Sequence, residues 1–160
     1  MQMESTRFGT IDVEDDAVLS FPDGLIGLPG SRYALLAHTE ASPFWWLHSV
    51  DHADIAVPVT KPWLFFRDYE VKVSDDDARK LDLDEPGAAE ILCVVRAAEE
   101  LEDFTVNLVA PIVLNAAARV GRQVINEIAG YDVRQPLFAE VDLTGVEAHE
   151  PAVPVAARAV

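Results

Sequence analysis

Cysteine, lysine and long apolar runs are all scarce in this chain, and each scarcity removes a class of function. Cys93 is the only cysteine, so no internal disulfide can form, which suits a reducing compartment. Lysine occurs only at Lys61, Lys72 and Lys80, and the arginines stand singly. A phosphate-binding surface needs clustered cations to displace counterions, so direct nucleic-acid binding is not expected. The longest apolar run, Leu108 to Leu114, has seven residues including Pro111, far short of the ~20 that span a bilayer. The opening Met-Gln-Met-Glu-Ser-Thr-Arg has neither the basic nor the apolar region of a secretory signal, so a cytoplasmic location is expected.

What is present in excess is carboxylate. The formal net charge is −16, from 28 acidic and 12 basic residues, which favours a cationic partner as well as solubility. Residues 1–16 hold Glu4, Asp12, Glu14, Asp15 and Asp16 against Arg7 alone. Residues 68–85 hold Asp68, Glu70, Asp75, Asp76, Asp77, Asp82, Asp84 and Glu85 against Lys72, Arg79 and Lys80. The second segment is the candidate partner-binding face, with Asp68, Tyr69, Glu70, Asp75, Asp76 and Asp77 as its named residues. One charge pair 10 Å apart in water is worth only about 0.4 kcal/mol, so such a face steers association while apolar anchors hold it.

The chain is long enough for one core, and its periodicity is that of short strands separated by turn residues. Strands are expected at 7–13, 17–21, 33–37, 44–48, 55–60, 69–73, 91–96, 106–114 and 123–125. So many short strands point to a mainly β fold, a compact β-barrel-like single domain with one or two short helices. Ser74 followed by Asp77, with Asp75 and Asp76 in the first turn, starts a helix over 75–82, and Pro86-Gly87 breaks it. A second helical turn is expected at 88–90. The domain covers residues 1–140, and 141–160 reads as an unstructured tail.

Tests for chemistry return no catalytic, cofactor or metal residues. Gly24, Gly27 and Gly30 have the wrong spacing for a phosphate loop, and Pro29 removes an amide, which leaves a turn-rich connector. Asp82 to Gly87 opens like a calcium loop, but Pro86 takes the fifth position and Cys93 the place of the bidentate glutamate. His48 and His52 have helical metal-ligand spacing but lie on a strand and the turn after it. None of the serines sits in G-x-S-x-G. Trp45, Trp46, Trp63, Phe65, Phe66 and Tyr69 are mostly core, with one or two exposed.

Three stretches together carry a resemblance: Phe21-Pro22-Asp23-Gly24-Leu25-Ile26-Gly27, Trp63 to Val71, and Thr105-Val106-Asn107-Leu108-Val109-Ala110-Pro111-Ile112-Val113-Leu114-Asn115. They resemble the bacterial flagellar assembly factor family FliW. Gly121-Arg122-Gln123-Val124-Ile125 and Tyr131 continue the similarity over about residues 6–138, with Leu28 departing from the aromatic residue more usual in the family. The resemblance implies a β-barrel-like cytoplasmic protein without enzymatic activity that binds two partners in alternation. One is flagellin. The other is CsrA, a small RNA-binding translational repressor whose sequestration frees flagellin messages for translation. The shared Phe21, Pro22, Gly24, Gly27, Asn107, Pro111, Asn115 and Gln123 read as structural, through turns, caps and strand edges. Two alternatives stay open: an acidic structural or chaperone subunit without CsrA regulation, and a metal-dependent enzyme on a β-barrel.

Overall fold

The computed structural model describes residues 1–37, 39 and 41–141, together with the backbone of residues 155–156. Its wall is a closed barrel of seven strands. In chain order the strands are Gln2–Ser5 (β1), Gly9–Asp12 (β2), Val18–Ser20 (β3), Arg32–Ala37 (β4), Phe44–Ser49 (β5), Ala56–Thr60 (β6), Ala89–Arg96 (β7), Thr105–Val106 (β8), Ile112–Asn115 (β9), Val120–Gln123 (β10), Gln135–Pro136 (β11) and Val155–Ala156 (β12). The wall runs β7-β6-β5-β4-β3-β10-β9 and closes where β9 returns to pair with β7. All its pairings are antiparallel except β10 with β3.

Side-chain alternation divides the wall into two faces. Leu19, Phe21, Tyr33, Leu35, Leu47, Val59, Leu92, Ile112 and Leu114 fill the barrel as one cluster. At Gly121 the packing is so close that a methyl group would lie 2.4 Å from Phe21 Cε1 and 2.6 Å from Leu114 Cδ2, so only glycine fits.

The alternate residues face outward yet are also buried, because three appendages cover them. The β1–β2 hairpin lays Met3, Ile11 and Val13 on Ala34 and Leu36. The 65–69 segment and the stretch 131–138 cover Cys93, Val95 and Val106. A short helix, Asp75–Lys80 (α1), and the chain around it set Val71, Val73, Leu81 and Leu83 against Ile91 and Val113.

The mainly β reading holds, and its departures have physical causes. The expected strand 106–114 is two strands, β8 and β9. Asn107 Oδ1 accepts from the amides of Val109 and Ala110, both at 3.0 Å, and folds a turn between them. The expected strand 123–125 lies earlier, at 120–123, and the helix ends at Lys80 rather than 82. The second helical turn, expected at 88–90, is a 3-10 turn two residues earlier, at 86–88, because Ala89 already begins β7. Residues 69–73 form no strand. β1 and β11 were not expected; β1 alternates exposed Gln2 and Glu4 with buried Met3 and Ser5 over only four residues. The expected tail lies outside the described residues apart from Val141 and β12, which pairs with β4.

Candidate functional site

The acidic segment is a strap across the outside of the barrel, and its alternating pattern is genuine even though it is not a strand. Tyr69 is buried, Glu70 exposed, Val71 half-buried and Lys72 exposed. Instead of a backbone ladder, side chains from 126–131 receive the strap. The Glu70 amide donates to Tyr131 Oη at 2.9 Å and the Lys72 amide to Asn126 Oδ1 at 3.0 Å. Asn126 Nδ2 donates back to the Glu70 carbonyl at 2.8 Å. One buried asparagine thus satisfies two backbone groups of the strap that would otherwise be orphaned.

Tyr69 anchors the middle. Its hydroxyl donates to the Leu108 carbonyl at 2.7 Å, its carbonyl accepts from Trp63 Nε1 at 2.7 Å, and its ring meets Tyr131 edge-on at 4.7 Å. Burial, and then neighbouring Cys93, raises the Tyr69 hydroxyl far above its ordinary value. Burial likewise pushes the Cys93 thiol up to about 12, so it stays protonated and unreactive at neutral pH. Tyr69 therefore holds the strap and offers no ring to a partner.

The helix follows the chemistry of its first turn. Ser74 Oγ accepts from the Asp77 amide at 3.1 Å and donates to Asp77 Oδ2 at 3.0 Å. Asp77 Oδ1 accepts from Arg122 Nε at 2.8 Å, and the same guanidinium pairs with Asp23. Arg122 thereby ties α1 to the loop after β3. Asp77 is spent on this structural role, whereas Asp68, Glu70, Asp75 and Asp76 stay exposed. Asp76 pairs with Arg79 at 3.7 Å and Lys80 at 3.2 Å, exposed contacts that contribute little.

The shared polar residues organise the surrounding turns. Asn115 Nδ2 donates to the Leu81 carbonyl at 2.9 Å, just beyond the helix. Gln123 accepts from the Ile26 amide at 2.9 Å and donates to the Ala110 carbonyl at 3.0 Å. Gly24 and Gly27 take φ of 71° and 76°, which the loop of 21–30 requires. Phe21 fills the barrel, Pro22 is exposed and Pro111 is buried. The exposed apolar side chains beside this framework are Ile26 at 63%, Ile125 at 62%, Leu64 at 56% and Trp63 at 45%. The sequence groups Trp63 with aromatics expected to be mostly core, and gives Arg122, Asn126 and Tyr131 no role. Their roles come from contacts across 45 to 99 residues of chain, which no local pattern signals.

The histidine pair does not converge. His48 is fully buried, with Nδ1 2.7 Å from the Ser49 carbonyl and Nε2 2.8 Å from Ser5 Oγ, while His52 is exposed in the following turn. Burial lowers the His48 pKa, partly offset by the Ser49 carbonyl. Among the described residues no group of three or more His, Cys, Asp or Glu side chains could hold a metal, and no helix is long and apolar enough to cross a membrane.

The family model described as FliW protein matches residues 2–137. The chain belongs to the FliW family. Its relatives include the flagellar assembly factor FliW of Desulfitobacterium hafniense strain Y51, 39% identical over 88% of this chain and 93% of that protein. Another, the flagellar assembly factor FliW of Natranaerobius thermophilus, is 37% identical over 86% of this chain and 93% of that protein. A crystal structure of the flagellar assembly factor FliW is similar with a TM-score of 0.79 and 26% identity, covering 89% of this chain and all of that one. Leu28 packs half-buried against the barrel core.

Proposed function

We propose that this FliW-family protein supports flagellar assembly by binding flagellin and CsrA in alternation, so that free flagellin displaces the repressor and limits its own synthesis. Family membership supports the flagellar role. The observation that carries the binding reading is a pinned strap with its carboxylates turned outward. Asp68, Glu70, Asp75 and Asp76 are exposed on backbone fixed by Tyr69, Asn126 and the Ser74 cap, in a chain of net charge −16. A repressor that binds RNA must carry basic surface, and this face complements it.

Held on a rigid backbone, the acids lose little freedom on binding, which lowers the entropic cost of association. Trp63 and Leu64, adjacent in sequence to the strap, and Ile26 and Ile125, which flank Gln123, are the apolar anchors within the same framework. The mechanism is competition between two binding equilibria and requires no covalent step. It is tested by titrating the purified chain into labelled CsrA of the same organism and then adding monomeric flagellin. Release of CsrA is the expected result. Binding of flagellin with no binding of CsrA would make the protein a flagellin chaperone and return the acids to a solubility role.

A further inference from the structure

One edge of β4 is only partly covered by the barrel wall. The register of β3 on it runs from Ser20↔Arg32 to Val18↔Ala34 and stops there, because residues 15–17 turn as a 3-10 helix and leave the sheet. Leu36 and Ala37 lie beyond that limit, while β5 pairs with both from the opposite edge. The vacant stretch is taken by β12, with Val155 opposite Ala37 and Ala156 opposite Leu36, antiparallel. An unpaired strand edge presents a row of amides and carbonyls that template another strand, and here the chain's own later segment answers it.

The chemistry of the occupant is specific. Ala152-Val153-Pro154-Val155-Ala156-Ala157 is uncharged and built from small aliphatic residues, in a chain otherwise dense with carboxylates. Only two residues pair, so the ladder is short.

We propose that the Leu36–Ala37 edge of β4 is a strand-addition site, plugged by the chain's own Val155–Ala156 segment and open, once that plug lifts, to an extended, uncharged, small-aliphatic segment of a partner protein. The inference does not depend on which partner the acidic strap recognises. The full-length chain with Val155→Pro and Ala156→Pro provides the test, since proline has no amide to give to a ladder. Two readouts are compared with the unsubstituted chain: hydrogen exchange at Ala37, with Leu36 as the internal control because its amide faces β5, and binding of a labelled synthetic peptide of residues 151–160. Exchange at Ala37 should rise about 10-fold in the variant while Leu36 stays protected by β5, and the peptide should bind the variant about 10-fold more tightly, a change of ~1.4 kcal/mol. The same peptide carrying the two prolines should not bind. Equal exchange at Ala37 in both proteins, or a peptide that ignores the variant, overturns the proposal.

Discussion

The barrel wall and the strap show the same alternation of apolar and polar residues but are held by different means. The wall is fixed by backbone ladders, in which every strand is paired on both sides. The strap is fixed by a few side chains, chiefly Asn126, Tyr131 and the hydroxyl of Tyr69, that stand in for a neighbouring strand. A ladder spreads its hold over many equivalent groups, so it is damaged mainly through packing. A segment held by single side chains fails when one of them is removed, and a binding face built on it inherits that sensitivity.

Substitutions at the two regions should therefore behave differently. Gly121→Ala attacks the wall, since its methyl group has no room between Phe21 and Leu114. Forced repacking of a filled core costs about 3 kcal/mol, and urea unfolding should show that loss for the whole domain. Asn126→Ala attacks the strap and the 126–128 turn that receives it. It leaves the Lys72 amide and the Glu70 carbonyl without the partner they use, a cost of about 2 kcal/mol. Hydrogen exchange should rise from 69 to 73 while β4 and β5 stay protected. Tyr69→Phe removes the bond to the Leu108 carbonyl and the longer one from Asn126 Nδ2, and should cost about 1 kcal/mol, with faster exchange confined to the same segment.

The smallest effect sits on the β1–β2 hairpin, which His48 ties to the wall through Ser5. Its pKa is lowered in the folded state, so the unfolded chain binds the proton more readily. Its contribution is complete above the ordinary value of about 6.5 and is lost as pH falls from there through the folded value. Urea midpoints at about pH 7.5 and pH 5.5 should fall further for the natural chain than for His48→Gln, which has no titrating ring.

How much of this was legible in the sequence follows from the range of the interactions. The helix start was legible because Ser74 and Asp77 meet within one turn. The wall strands β4, β5, β6 and β7 were legible because their apolar runs are long. The strap was misread as a strand because periodicity records which side chains face inward, and that alternation is present whether the backbone pairs with a strand or with Asn126 and Tyr131. The split of β8 from β9 was hidden for the opposite reason. Leu108 to Leu114 is apolar throughout, and only the Asn107 side chain breaks the strand. Of the acidic face, Asp68, Glu70, Asp75 and Asp76 lie outward as the charge run suggested. Tyr69 and Asp77 point to the framework, because the Leu108 carbonyl accepts the Tyr69 hydroxyl and the Arg122 guanidinium donates to Asp77.

The central claim is that the outward acids of the strap recognise a basic partner. The most direct test is the rate at which CsrA associates with the natural chain and with Asp68→Asn, Glu70→Gln, Asp75→Asn, followed from about 0.1 M to about 1 M salt as the Debye length shrinks from ~10 to ~3 Å. The natural chain should associate progressively more slowly as salt rises, and the triple variant should be slower at low salt and nearly flat. A natural chain whose association rate ignores salt, or a variant that matches it at every salt concentration, would contradict the account.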